Sequence, residues 1–140
     1  MASYPALEDW FSTEIRRNRK SFMLATLALT AVIVAVIAVV AWFSQSHRGF
    51  ALGLIPFGIA YIVCTYMLTA QRIRDMGLTG WLALLWIPVG MADSYLQGAA
   101  SLAAWIVLCS VPGTQGANRY GPDPLGAEPV HEVAPRLSTQ

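Results

Sequence analysis

An unbroken apolar run, residues 22–43, constrains the fold of this chain more than any other feature. Its sequence, FMLATLALTAVIVAVIAVVAWF, contains no charged residue, no proline and no glycine. A bilayer core of about 30 Å is crossed by roughly 20 such residues, whereas the apolar core of a cleaved signal peptide has only about 7–15. The run therefore predicts a retained transmembrane helix, with Ser21 as a candidate N-cap and Trp42 and Phe43 as interfacial aromatic residues.

The composition of the whole chain supports a membrane protein. Of its 140 residues 56% are hydrophobic and only 12% are charged, against about 25% charged in an ordinary soluble domain. A water-soluble fold of one domain would lack the polar surface to cover itself. The net charge of +1 gives no case for a nucleic-acid partner. Cys64 and Cys109 both lie in apolar runs, which indicates buried thiols and no disulfide framework.

Two further apolar regions follow the first run. Residues 50–70 are separated from it by the short turn SQSHRG, which predicts an antiparallel hairpin; Pro56 is tolerated in a transmembrane helix when its neighbours satisfy the freed carbonyl. Residues 81–111 are longer than one span needs. We interpret them as two helices with a break between Pro88 and Ser94, because one tilted helix would bury Asp93 at a cost of about 2.5–3.5 kcal/mol. A single pass of residues 81–111 through the membrane is the alternative.

The distribution of basic residues favours two passes. With four helices and a cytoplasmic N-terminus, eight of the nine basic residues are cytoplasmic and only Arg48 is outside; with three helices, six are inside and three outside. The positive-inside rule prefers the first arrangement. We therefore predict an all-α, integral membrane four-helix bundle. It consists of two helical hairpins with a short third helix, over about 21–43, 50–70, 80–91 and 95–111.

The two flanks of this transmembrane domain, residues 21–111, are predicted to be cytoplasmic. In residues 1–20 the apolar side chains recur at helical spacing, which is typical of an amphipathic helix on the membrane surface, with a disordered arm as the alternative. Residues 112–140 contain a loop motif and then a proline-rich, disordered tail. A basic cluster ahead of the first helix attracts anionic headgroups by about 1 kcal/mol per residue and anchors the topology. Its members are Arg16, Arg17, Arg19 and Lys20.

Two motifs flank the last apolar region. The first, which we call the elbow, is residues 71–81, QRIRDMGLTGW. Arg72 and Asp75 are three residues apart and pair if the second helix continues to them, and Gly77 is placed to end that helix in a left-handed cap. The second, the closing motif, is residues 112–124, PGTQGANRYGPDP, a succession of turns that nevertheless carries an arginine and a tyrosine.

Together these motifs resemble the domain-of-unknown-function 805 family of small bacterial inner-membrane proteins. The closing motif matches the family pattern at Pro112, Gly113, Thr114, Gly116, Asn118, Arg119, Tyr120, Gly121, Pro122, Asp123 and Pro124. The elbow matches at Arg72, Asp75, Gly77, Gly80 and Trp81. The chain departs from the family pattern at Gln71, Arg74 and Thr79 of the elbow and at Leu82, which follows it. The resemblance implies a multi-pass protein of the bacterial inner membrane with both termini cytoplasmic, and it implies no activity. Because Arg74 replaces the family's histidine, a histidine proton relay cannot apply to this position.

The sequence offers little material for catalysis. His47 and His131 have no spacing that would close a metal site or a triad, so we expect no enzyme, no metal and no cofactor. We expect a structural, interaction or membrane-assembly role, with membrane lipids and other membrane proteins as partners. A small transporter or channel using Asp93 and an anionic-lipid or peptide-binding module are the alternatives. The oligomeric state stays open.

The candidate site is where the elbow and the closing motif meet. Both begin or end at the same predicted membrane surface, so we expect Asp75 to pair with Arg72, Arg74 or Arg119. Tyr120 is expected to pack near Trp81. The candidate residues are Arg72, Arg74, Asp75, Gly77, Gly80, Trp81, Asn118, Arg119, Tyr120, Gly121 and Asp123.

Overall fold

The regular structure of the chain is helical, as the sequence predicts. A computed structural model describes residues 15–44 and 46–126. Its elements are α1 (Arg19–Phe43), α2 (His47–Asp75), a 3₁₀ helix (Gly80–Leu85), α3 (Trp86–Leu96) and α4 (Ala99–Ser110). No strand occurs in these two ranges, where the one isolated β-bridge joins residues of the closing motif. The predicted N-terminal amphipathic helix, up to residue 14, and the predicted tail beyond residue 126 lie outside the described residues.

The first two helices are long and apolar enough to cross a membrane. With 25 and 29 residues, they extend about 37 and 43 Å at 1.5 Å per residue. Only 6% of the most apolar window of α1 and 11% of that of α2 is buried inside the protein. The apolar side chains of both helices therefore face outward rather than into a core.

The ends of these two helices follow local capping rules. The Asn18 side chain accepts a hydrogen bond from the Ser21 backbone N–H at 2.9 Å, so α1 begins at Arg19 and its N-cap is Asn18 instead of Ser21. Helix α2 continues five residues beyond the predicted boundary at residue 70. It ends where Gly77 adopts a positive φ of 78°, which is the left-handed cap that the sequence predicts.

The break between the last two helices differs from the expected one. It lies at Gln97 and Gly98, which both adopt left-handed backbone conformations with φ of 52° and 90°, and not between Pro88 and Ser94. Pro88 is the third residue of α3. In this first turn of the α-helix, directly after the 3₁₀ segment, its missing N–H is tolerated. Helix α3 therefore continues to Leu96 and includes Asp93.

The helices form two hairpins that meet at one end of the molecule. Helix α1 packs along α2, and α3 packs along α4; α4 also contacts α1, and the 3₁₀ helix packs against α2. The buried apolar side chains lie mainly where α1 begins and α2 ends. They are Phe22, Ala25, Leu68, Ala70, Ile73, Ala83 and Leu108. This small core supports the segments that carry both sequence motifs.

Candidate functional site

Three segments that are distant in sequence converge at this end of the molecule. They are residues 15–18, the elbow and the closing motif, and together we call them the polar cap. The backbone N–H of Arg17 donates to the carbonyl of Gln71 at 3.3 Å, and that of Thr114 donates to the carbonyl of Asp75 at 2.8 Å. The end of α2 is therefore bonded on one side to the segment before α1 and on the other to the closing motif.

Arg16 is the centre of the polar cap. Its Nη1 donates to the carbonyls of Gly116 at 2.7 Å and Gly121 at 3.2 Å. Its Nη2 donates to the carbonyl of Thr114 at 2.6 Å and to the hydroxyl of the same residue at 3.0 Å. Arg16 is only 4% exposed. One buried guanidinium thus fixes the path of the closing motif, because the planar fork of arginine matches several acceptors at once.

Asp75 lies between two guanidinium groups. Its Oδ1 is 3.2 Å from Nη2 of Arg16, and its Oδ2 accepts a hydrogen bond from Nη1 of Arg72. Arg72 is fully buried and also donates to the carbonyls of Leu108, at 2.9 Å, and Val111. The i,i+3 spacing predicted the Arg72 pair, whereas the basic cluster predicted a lipid-facing Arg16. Buried charges of this kind persist only when they are paired and hydrogen-bonded.

The predicted lipid anchor divides into two parts. Arg17 is 5% exposed; its Nε donates to Oε1 of Gln71 at 2.8 Å and its Nη1 to the hydroxyl of Ser21 at 2.7 Å. Arg16 and Arg17 are thus not the headgroup-facing side chains that the sequence predicts. They precede the helix start and turn toward α2. Arg19 and Lys20, the first residues of α1, are exposed, and a lipid-contacting role for them stays a prediction.

The middle of the closing motif lies against the end of α2 and the turn that follows it. Asn118 Nδ2 donates to the carbonyl of Arg74 at 3.0 Å. Arg119 Nη2 is 3.4 Å from the carbonyl of Gly77, and its guanidinium carbon lies 4.7 Å from the centroid of the Tyr120 ring. The exposed Arg119 therefore contacts the turn after α2 rather than Asp75. Tyr120 stacks with Arg119 in a cation–π arrangement.

Two glycines permit close approaches within the polar cap. A Cβ atom built on Gly113 would overlap the carboxylate of Asp75. A Cβ on Gly80 would come within 2.7 Å of Nε of Arg74. The first obstacle is a buried carboxylate that two guanidinium groups hold, and the second is the far end of an arginine side chain. Trp81, next to Gly80, is 73% exposed.

Asp123 stabilises the exposed part of the closing motif. Its Oδ1 accepts from the backbone N–H of Leu125 at 2.9 Å, and its Oδ2 accepts from that of Gly116 at 2.8 Å. These two amide donors, Leu125 first, hold the pKa of the Asp123 carboxyl below its usual value, because hydrogen bonds to the charged form favour it. Asp123 and Arg16 thus both hold the closing motif in place, Asp123 from inside the motif and Arg16 from the segment before α1.

Asp93 lies outside the polar cap and has a local structural role. Its Oδ1 accepts from the backbone N–H groups of Ala100 at 2.9 Å and Ser101 at 3.2 Å. These are donors of the first turn of α4, whose own N-cap is Gly98 and has no side chain to offer. Asp93 therefore supplies the capping acceptor from the neighbouring helix.

Several residues that build the polar cap lie outside the candidate site predicted from the sequence. Gly113 and Thr114 are among the residues that match the family pattern in the closing motif, and that match was the available signal for them. Arg16 had no such signal, because its side-chain partners lie 59 to 105 residues away in sequence. Among the described residues no group of three or more His, Cys, Asp or Glu side chains is placed to hold a metal ion.

Comparison with known proteins identifies a family. The family described as "Protein of unknown function (DUF805)" matches residues 10–122 of the chain. That range covers all four α-helices, the elbow and all but the last two residues of the closing motif. No curated protein and no solved structure matches the chain. On the strength of a match over most of its length, the chain belongs to the DUF805 family of proteins of unknown function.

Proposed function

We propose that the chain is a multi-pass protein of the bacterial inner membrane. Support comes from the surface of α1 and α2, where large aliphatic side chains are exposed outside the small core at the polar-cap end. Val32 is 60% exposed, Val34 58%, Ile59 60% and Ile62 67%. In water, leaving such side chains exposed forfeits about 1.5–3 kcal/mol of burial each, whereas in lipid they are in their preferred solvent.

The charges at the two ends of α1 and α2 support an orientation with the polar cap in the cytoplasm. Among the described residues, seven basic side chains lie at the polar-cap end and one, Arg48, lies at the opposite end. The positive-inside rule places the more basic end in the cytoplasm. The seven are Arg16, Arg17, Arg19, Lys20, Arg72, Arg74 and Arg119.

The proposed role is structural and non-enzymatic: the polar cap is a fixed cytoplasmic surface on which another membrane protein docks during membrane assembly. The single observation that carries this proposal is the bonding of Arg16 to the carbonyls of Thr114, Gly116 and Gly121. A loop held by a buried guanidinium is pre-organised, which lowers the entropy that binding a partner costs. The loop presents the exposed Arg119, stacked on Tyr120, at its surface.

The alternatives from the sequence have weaker support. Transport would need an acid that exchanges its partners, but the Asp93 carboxylate already accepts from two amides of α4. A lipid-binding module would use Arg19 and Lys20, which are exposed. These two side chains support contact with anionic lipids as part of the proposed role.

Site-specific photocrosslinking in native membranes tests the docking proposal. A photoreactive amino acid replaces Arg119 in the full chain, and in a second variant it replaces Arg48 at the opposite end. We expect one discrete protein adduct from position 119 and none from position 48. Adducts with lipid alone from position 119 would favour the lipid-binding alternative, and equal adducts from both positions would reject the proposal.

A second comparison tests whether the fixed loop is required. The crosslinker at position 119 is combined with Arg16→Gln, which removes the central guanidinium, or with Arg19→Gln, which removes an exposed one. We expect the adduct to be lost with the first substitution and retained with the second. An adduct that persists in Arg16→Gln at an equal protein level would show that the loop does not need to be held.

A further inference from the structure

Helix α4 is too short to cross a membrane beside α1. It has 12 residues, Ala99–Ser110, against 25 in α1. At 1.5 Å per residue it extends about 18 Å, whereas α1 extends about 37 Å and a hydrocarbon core measures about 30 Å. The depth that α4 reaches therefore depends on its position along α1.

The C-terminal end of α4 is attached to the polar cap. The fully buried Arg72 donates to the carbonyls of Leu108 and Val111. Arg19, the first residue of α1, lies with Nη1 3.4 Å from the carbonyl of Ser110. The end of α4 is thus level with the beginning of α1, at the end of the molecule that carries the basic residues.

A second contact shows that α4 rises along α1 from there. Nε1 of Trp105 donates to the hydroxyl of Thr26 at 3.0 Å. Thr26 lies seven residues beyond Arg19 and Trp105 lies five residues before Ser110, or about 10 and 8 Å along their helices. Since seven residues of α1 correspond to five of α4, the first residue of α4 is level with about residue 34 of α1, roughly 13 Å short of Phe43.

We infer that the α3–α4 hairpin is re-entrant, and that its tip contacts water and phospholipid headgroups of the opposite leaflet. Both the water and the headgroups are drawn inward to the tip. The inference rests on the membrane integration proposed above. The hairpin enters and leaves the membrane on the polar-cap side, and its tip, residues 93–98, ends inside the apolar layer. The first arm of the hairpin, the 3₁₀ helix followed by α3, is longer than the second arm, α4. Because both arms end at the same tip, the shorter arm, α4, sets the depth of the tip.

The chemistry of the tip identifies water and headgroups as its partner. Asp93 is an acidic side chain that accepts hydrogen bonds from α4, Gln97 and Gly98 are exposed in an irregular backbone, and Tyr95 is 88% exposed. Non-helical backbone at membrane depth is tolerated only where protein buries it or water reaches it, and no other element covers this tip within the described residues. Tyrosine is typical of the membrane–water boundary. Tyr95 therefore marks a boundary closer to the polar cap than the one marked by Trp42 at the end of α1.

Thiol labelling from the side opposite the polar cap tests this inference. Cys64 and Cys109 are first replaced by alanine, and Ser94→Cys then puts a nearly isosteric thiol at the tip. His47→Cys is the control for the opposite surface. A small charged methanethiosulfonate is compared with a maleimide attached to a 5-kDa polymer, a bulk chosen to exclude it from a narrow recess. We expect the small reagent to label both positions and the polymer to label only position 47.

Each other pattern overturns the inference in a distinct way. Polymer labelling of Ser94→Cys from the opposite side would mean that the hairpin crosses the membrane. Protection from both reagents, with oxidative crosslinking between two Ser94→Cys chains, would mean that a second copy covers the tip. Labelling of Ser94→Cys only from the polar-cap side would also contradict it.

A separate control distinguishes failure of the inference from failure of the proposed membrane integration. Val34→Cys lies on α1 near the expected depth of the tip, and its native side chain is 58% exposed. In the membrane it should react with neither reagent from either side, and it should react after detergent denaturation. Polymer labelling at position 34 in intact vesicles would reject membrane integration itself, whatever position 94 shows.

Discussion

Replacing Asp75 with asparagine tests the polar cap where its charge is most deeply buried. Asp75 is 4% exposed, and its two partners, Arg16 and Arg72, are 4% and 0% exposed. Asparagine has nearly the same volume and keeps one acceptor oxygen. However, it removes the negative charge and directs an amide group at one of the two guanidinium groups. The substitution therefore tests the effect of the carboxylate charge while the shape of the side chain stays nearly the same.

The expected cost follows from burial. Removing one partner of a buried ion pair costs about 3–5 kcal/mol, because the remaining charge stays buried without compensation. Arg16 retains four acceptor contacts in the closing motif, and Arg72 retains two helix-end carbonyls. These contacts satisfy donors but supply no full negative charge. We therefore expect a loss near the lower end, about 3 kcal/mol.

Denaturant unfolding of the full chain in mild detergent micelles, monitored by tryptophan fluorescence, measures this loss. The matched control is Arg119→Gln, an exposed charge of the same motif, which should change the free energy of unfolding by less than about 0.5 kcal/mol. A double-mutant cycle should give coupling between Asp75 and Arg16 of about 1–3 kcal/mol. A loss below about 1 kcal/mol for Asp75→Asn, or stronger coupling of Asp75 to Arg119 than to Arg16, would refute the arrangement.

Three further predictions concern single contacts. Gly113→Ala should destabilise the polar cap and increase proteolysis of the closing motif, because its methyl group overlaps the buried carboxylate; Gly90→Ala, with open space around its Cβ, should be neutral or stabilising by up to about 1 kcal/mol. Trp105→Phe should cost about 0.5–1.5 kcal/mol in detergent unfolding, because it removes the bond to Thr26, and the loss should vanish in a Thr26→Ala background. Since the pKa of Asp123 is lowered in the folded loop, its contribution to stability is present above the unfolded pKa of about 4 and is lost as pH falls through the folded value. Hydrogen exchange of the closing motif should show a loss of protection in that acidic range that is absent in Asp123→Asn.

The helices were predictable because their signals are local. The run at residues 22–43 has no interruption, and Gly77 adopts without strain the positive φ that the left-handed turn after α2 requires. The break between α3 and α4 was misplaced for a physical reason. Proline at the start of a helix and proline in its interior look alike in sequence, and only the preceding 3₁₀ segment puts Pro88 in the first turn.

The site was only partly predictable, because its centre depends on contacts between distant segments. The Arg72–Asp75 pair is local and follows from helical spacing. The contacts of Arg16 are not local, and three of the four residues that follow it in sequence are also basic. In sequence alone, these basic residues look alike. Burial separates them, and burial is a property of the packed structure.

One backbone feature, the start of α1 at Arg19, gives this basic cluster two roles. Asn18 begins the helix by accepting from Ser21, so the residues before it are free to turn toward α2, while those after it follow the helix surface. The buried arginines then stabilise the polar cap, and the exposed ones remain at its rim. Both kinds contribute equally to the charge that opposes translocation across a membrane, because that effect depends on their number near the helix and not on their final partners. The positive charge that supports the proposed orientation thus also builds the polar cap.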